Sequence, residues 1–260
     1  MLLHEFDPCE TAIFNPDMVC QPVEGMPKVA VSCFSTVTFQ RMLDMFPGAE
    51  QIAVTKCASS VFPVYRVMAG GVPVVIYQSG VGAPQCVGAQ EEVYIMGVET
   101  LVLFGSCGVL DKNIMEKCGI ILPTAALRDE GTSYHYAPPG NEIPVNLHHR
   151  EVFTGLMEEM GIRYTQGKCW TTDSMYRETR EKAKRRREQG CICVDMECAS
   201  CAAVAQFRKK EVLQFFYSTD NLDSDKWEDH CLSNNAMVEE KDQIALLALE
   251  LAARIAKKKG

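Results

Sequence analysis

The sequence has no uninterrupted apolar run long enough to cross a bilayer, which excludes a membrane-spanning helix. It has no surplus of basic residues. Lysine and arginine number 26 against 34 aspartates and glutamates, for a formal net charge of -8. That balance argues against nucleic acid or an acidic membrane surface as the main partner. Internal repeats and low-complexity stretches are also absent. The opening residues, MLLHEFDPCE, hold acids where a secretion signal holds bases, and no apolar core follows. The expectation is a cytoplasmic protein. Cysteine, by contrast, is plentiful, at 13 residues. The count is odd, and Cys33, Cys107 and Cys193 sit inside apolar runs, so they read as small buried thiols rather than disulfide partners. Cys191, Cys193, Cys198 and Cys201 are close enough in sequence to suggest zinc. However, the first two are two apart on a strand and the others follow on a helix, whereas zinc knuckles place a pair around a turn. No metal is expected.

At 260 residues and 47% hydrophobic content, the chain can bury a full core and fits a single domain over 1–260. Short β-rich runs alternate with helical patterns. Strands are expected at 28–33, 51–56, 63–68, 73–78, 100–105, 119–123, 191–196 and 212–219, several of them apolar on both faces. Helices are expected near 35–46, 83–97, 148–160, 176–189 and 198–208. A last helix carries Ile244, Leu247, Leu251 and Ile255 on one face and closes in lysines that suit the helix dipole. This order predicts an α/β fold, a three-layer sandwich around a central mixed, mostly parallel sheet. The basic run at 177–189 is interleaved with glutamates at i,i+4 spacing and reads as a solvated helix over the site rather than an RNA surface. The loop 131–146, rich in Pro and Gly, is either a surface excursion or a site wall holding His135 between two tyrosines.

Four segments carry candidate chemistry. In YQSGVGAPQCVG (77–88), Gly80 and Gly82 end a strand just before a helix, so the backbone can approach a ligand and the helix start favours an anion. The third glycine is misplaced for a dinucleotide fingerprint, and no Lys-Ser/Thr of a nucleotide phosphate loop follows. In TLVLFGSCGVLD (100–111), a small-residue turn at a strand end is where open α/β sheets bind ligands. Ser106 there can donate to an anion, and Cys107 and Gly108 can face a flat ring. In CICVDMECASCAAVAQF (191–207), Asp195 and Glu197 stand between a buried-looking strand and an uncharged helix. Glu197, at the helix start, is expected to stay ionised and to accept the two hydroxyl hydrogens of a ribose diol, with Met196 packed on the sugar. In FFYSTDNLDSD (215–225), Asp220 lies at a strand tip, as a proton donor or as a turn cap.

Together SGVGAP, GSCGVL, DEGTSYHYAP, TTDSMY, VDMECA and STDN resemble the nucleoside phosphorylase superfamily, in its order and at its spacings. The resemblance implies cleavage of an N-glycosidic bond by orthophosphate as co-substrate, without a further cofactor, to give free base and ribose 1-phosphate. It implies small-molecule partners and a homo-oligomer, either a dimer or a hexamer. By analogy, Glu197, Met196 and His4 would bind ribose. Cys107, Gly108, Met175 and Val194 would line the base pocket, Ser106 and Arg128 would bind phosphate, and Asp220 would protonate N7 of a leaving purine. Uracil-reading residues would fall at Thr179 and Glu181, which cannot pair with the same base edge. The chain departs from the family on the anion side. SCFSTVTF (32–39) replaces Gly-Asp-Pro and its arginine, and Leu103 stands where a second arginine is expected. Arg41, Arg66 or Arg128 could substitute. A nucleosidase, or a silent nucleoside-binding relative, stays open beside the phosphorylase.

Overall fold

The computed structural model describes residues 3, 5–111, 114, 119–223, 227–229 and 235–260. His4 lies outside them. The strands are β1 Val29–Cys33, β2 Glu50–Cys57, β3 Ser60–Ala69, β4 Val72–Gln78, β5 Thr100–Val109, β6 Ile120–Asp129, β7 Glu142–Pro144, β8 Tyr164–Thr172, β9 Cys191–Asp195, β10 Glu211–Asn221 and β11 Glu228–Asp229. The helices are α1 Thr36–Asp44, α2 Ala83–Met96, α3 Arg150–Met160, α4 Arg180–Glu188, α5 Cys198–Phe207 and α6 Val238–Lys259.

One mixed sheet joins all the strands in the order β11-β10-β6-β8-β9-β5-β1-β4-β3-β2, with β7 on β6. β10 also pairs with β5, so β5, β9, β8, β6 and β10 close into a ring. Parallel ladders run through the centre, where β1 lies between β4 and β5 and β10 lies beside β5. The β2–β3–β4 meander and the β5–β9 contact are antiparallel. Alternation along β1 sorts its side chains to two faces. Val29, Val31 and Cys33 pack with α1, α3 and α6 through Phe39, Phe153 and Ile244. Ala30 faces α2 and α5 through Cys86 and Val204. Burying both faces requires apolar side chains on each, which is why β1, β4 and β5 read as continuous hydrophobic runs. The result is the expected three-layer α/β architecture.

Local expectations differ at several places, two of which bear on the site. The small-residue turn expected after Phe104 is strand, because Gly105 to Val109 continue pairing with β10 and β9. Gly105 fits there because a Cβ would meet the Phe34 ring at 2.7 Å. β8 was not anticipated at all. Its YTQGKCWTT sequence is polar in its first half, and the strand is held by parallel ladders to both β6 and β9.

Candidate active site

The C-terminal ends of β1, β5, β9 and β10 converge on a cavity of 370 Å³. Strand ends of this kind are where open α/β sheets place ligands. Ser106, Cys107, Gly108, Met175, Val194, Met196, Glu197 and Asp220 all line it. Eight of the ten residues given site roles by the resemblance therefore meet at one place, although they come from four separate segments. His4 is outside the described residues, and Arg128 is elsewhere.

The two acids of VDMECA have different tasks. Asp195 ends β9 and is buried and fully engaged within the protein. Its Oδ1 accepts from Thr171 Oγ1 at 2.8 Å and from Cys169 Sγ at 3.2 Å. Its Oδ2 accepts from the backbone amides of Glu197 (2.9 Å) and Cys198 (2.7 Å). Asp195 thus caps α5 and locks the turn, using amides that a helix start leaves without partners. Burial still raises its pKa to about 6, against these hydrogen bonds. Glu197, one peptide beyond Met196, makes no side-chain capping bond to α5. It is 6% exposed and lines the cavity, and its Oε1 accepts the Gly82 amide at 2.6 Å. Gly82 caps α2 with φ +96°, a conformation a side chain would strain. The start of α2 is therefore met by a protein carboxyl.

Glu197 was expected to stay ionised at its helix start. Instead, burial, followed by the repulsion of nearby Asp195, raises its pKa to about 8, and the Gly82 amide offsets this only in part. Desolvation outweighs the helix end because the whole carboxyl is out of water. Glu197 thus favours its protonated form over a range in which an exposed glutamate is ionised. A diol that donates two hydrogens favours its ionised form.

At the β10 end, Asp220 Oδ1 accepts from Thr219 Oγ1 at 3.0 Å and Oδ2 from Trp227 Nε1 at 3.1 Å. Beside it, Glu178 lines the cavity with a pKa raised to about 7, first by burial and then by the Asp220 charge. The sequence marks neither Glu178 nor Trp227 as a site residue, and Glu178 reads there as a partner of Lys182 on the solvated helix. Glu178 lay hidden in a strongly charged run, and nothing in the local pattern of Trp227 marks it. The positions expected to face uracil do not line the cavity. Thr179 instead caps α4, its hydroxyl accepting from the Lys182 amide at 3.3 Å, and Glu181 lies on α4. The basic helix α4 sends Lys182 and Arg186 to Asp129 and over the Trp170 ring rather than into the cavity.

The arginines proposed from sequence do not reach the site. Arg128 was assigned to phosphate, but the structure corrects this. Its guanidinium donates to Ser133 Oγ at 2.8 Å and to the carbonyls of Pro138 (2.7 Å) and Ala137 (3.3 Å), and lies over the Tyr134 ring. Loop 131–146 folds around this buried side chain and contributes nothing to the cavity wall. A planar fork with several donors suits loop carbonyls as well as it suits phosphate. Arg128→Ala is expected to destabilise the fold by roughly 2–4 kcal/mol, because buried carbonyls lose their donors, without changing any affinity for phosphate. Thermal melts together with phosphate titrations check this. Arg41 pairs with Asp242 and Arg66 with Glu50. Leu103 is fully buried against α2 and α5. Among the described residues, no cluster of three or more His, Cys, Asp or Glu side chains is placed to hold a metal.

A model of the phosphorylase superfamily matches residues 28–258. The chain belongs to the phosphorylase superfamily. Among curated relatives in this superfamily, it is 33% identical to a uridine phosphorylase of Thermococcus kodakarensis over 115 residues, 43% of this chain and 41% of that protein. It is 25% identical over 166 residues to a guanosine phosphorylase of Halorubrum lacusprofundi, covering 64% of this chain and 67% of that one. A purine nucleoside phosphorylase of Plasmodium vivax is 24% identical over 69% of this chain and 73% of its own. The superfamily fold is seen in purine nucleoside phosphorylase from Toxoplasma gondii in complex with immucillin-H, with a TM-score of 0.78 at 18% identity over 92% of this chain and 97% of that one. Uridine phosphorylase from Vibrio fischeri ES114 gives 0.75 at 20% identity over 94% and 99%. No described helix is long and apolar enough to cross a membrane.

Proposed function

We propose that this cavity cleaves the N-glycosidic bond of a nucleoside with orthophosphate, yielding the free base and ribose 1-phosphate. The observation that carries this reading is Glu197, a buried carboxyl at the cavity whose charged form needs hydrogen donors. A ribose 2′,3′-diol supplies two of them. Met196 offers its thioether to the sugar face, and Cys107, Gly108, Met175 and Val194 enclose the base. In the reaction, a phosphate oxygen bonds to C1′ as the C1′–N bond breaks, and the electron pair leaves with the base. The base takes a proton from Asp220. The acid is restored from solvent, to which the hydrogen phosphate gives up its own proton. Charge builds on the ribose in between, where the Glu197 carboxylate lies.

A purine is the favoured base, because Asp220 stands where an acid can serve N7 and Glu178 adds a second carboxyl beside it. A hydrolytic reading has one observation in its favour, namely that no arginine lines the cavity among the described residues. A silent nucleoside binder is the third reading. The assembled enzyme is proposed to be a homo-oligomer, dimer or hexamer. This suits the exposed apolar side chains Val61 and Met68 on the edge meander.

Inosine, guanosine, adenosine and uridine, each assayed with and without phosphate, separate the readings. Base release only with phosphate is the expected outcome, with the purines fastest. Release without phosphate selects the hydrolase, and tight binding without turnover selects the silent relative. The pH dependence follows from Glu197. Nucleoside favours the ionised form, so below about pH 8 binding must displace a proton. Affinity should weaken by up to roughly tenfold per pH unit below that point. Calorimetry in buffers of different ionisation heat should show proton release at pH 7, and none at pH 9.5.

A further inference from the structure

The proposed acceptor is a dianion, yet the cavity is rich in acids. Asp195, Glu197, Glu178 and Asp220 all line it, and Arg41, Arg66 and Arg128 are committed to Asp242, Glu50 and the 131–146 loop. A phosphate entering such a site needs a cation, because its desolvation is otherwise uncompensated. Among the described lining residues there is one, Lys241. It sits in the first turns of α6, its amide bonded to the Met237 carbonyl, and it is 4% exposed. Lysine is seldom buried this far unless it is paired.

Its surroundings fit an anion. Ser35, Thr36 and Thr38 of the α1 start line the same cavity, as does Ser106 in the C-terminal half of β5. Ser35 caps α1, its hydroxyl accepting the Thr38 amide at 3.2 Å. Thr36 Oγ1 accepts from Gln78 Nε2 at 2.9 Å, which leaves its hydroxyl hydrogen for another acceptor. The start of α1 adds the positive end of a helix dipole. α1 and α6 are braced against each other by Arg41, whose Nε donates to Asp242 Oδ1 at 2.8 Å, one residue from Lys241. The acids, in contrast, come from the β9–α5 turn, the segment before α4 and the tip of β10.

We propose that Lys241 anchors the phosphate acceptor, together with Ser106 and the hydroxyls of the α1 start, in place of the guanidinium groups missing from 32–39 and at Leu103. The proposal rests on the phosphorolytic reading and deepens it. A lysine binds phosphate as a point charge and needs no planar geometry. One charge-assisted contact corresponds to a change in phosphate KM of roughly 10- to 100-fold.

The test compares wild type with Lys241→Met, Lys241→Gln and Lys241→Arg, with folding checked by circular dichroism. Phosphate is varied at saturating nucleoside, nucleoside is varied at saturating phosphate, and phosphate-induced thermal stabilisation is measured without nucleoside. The expected result is a phosphate KM raised roughly 10- to 100-fold in the uncharged variants. Nucleoside KM should stay within about threefold, phosphate stabilisation should be lost, and arginine should restore most of both. If wild type is phosphate-dependent and a folded uncharged variant keeps its phosphate KM, the Lys241 assignment falls while phosphorolysis stands. If base release from wild type ignores phosphate but phosphate still stabilises wild type and not the variants, phosphorolysis falls while the anchor stands. If phosphate neither accelerates nor stabilises wild type, both fall. Gln preserves polarity and volume, so it carries the test should the Met variant not fold.

Discussion

Glu197→Gln is expected to lose roughly 10²–10⁴-fold in kcat/KM and, at the same time, to melt at a higher temperature. The loss follows from two hydroxyl donors that each gain about 1.5–3 kcal/mol from a charged acceptor and much less from an amide. The gain in stability follows from the raised pKa. In the unfolded chain Glu197 ionises near its ordinary 4.5, whereas in the folded protein it holds its proton to about 8. Between those values folding takes up a proton, so stability falls as pH rises through the window and the full penalty is reached above about 8. Glutamine carries no such penalty, and its carbonyl can still accept the Gly82 amide. Melting curves of both proteins from pH 4 to 9 should therefore coincide near pH 4.5 and separate upward, by on the order of a few kcal/mol at pH 8. An active Glu197→Gln enzyme would remove the ribose assignment. Parallel melting curves would remove the account of the buried acid.

Asp220→Asn should cost purine nucleosides roughly 10²–10⁴-fold in kcat, the usual worth of protonating a leaving group. The geometry makes the effect selective. Thr219 and Trp227 each hold one oxygen of Asp220, so its carboxyl is held at the tip of β10 rather than free to turn. 7-Methylguanosine already carries the positive charge that protonation would create, and its base leaves without help. The variant should therefore process it within about tenfold of wild type, with leaving-group protonation as the only contribution lost. Uridine, which has no N7, should also lose less than inosine. Equal losses across the three substrates would show that Asp220 acts through structure and not as the acid.

Much of the site was legible because several of its parts are local. Asp195-Met196-Glu197 is a strand end running straight into a helix, and Ser106-Cys107-Gly108 and Asp220 also lie at strand ends. Position at a strand's C-terminal end is itself the signal. The unread parts depend on distant segments. Arg128 looked like a spare cation until loop 131–146 was seen to wrap around it. Nothing in the order of residues says which carbonyls will be near. Glu178 and Lys241 sit among other charged residues, and only burial sets them apart. β8 was missed because its polar first half lacks a strand pattern, yet its Thr171 orients the Asp195 carboxyl that caps α5.

By itself the sequence determined the three-layer α/β architecture, the single family it belongs to, and the strand tips that carry the acids. These depend on periodicity and on short contiguous motifs, which are properties of neighbours along the chain. The tertiary structure alone decided the ionisation of Glu197, the division of labour between Asp195 and Glu197, the removal of every candidate arginine from the cavity, and the arrival of Lys241 in its wall. Those outcomes depend on desolvation and on charges brought close from distant segments, and both arise only once the chain has closed around them.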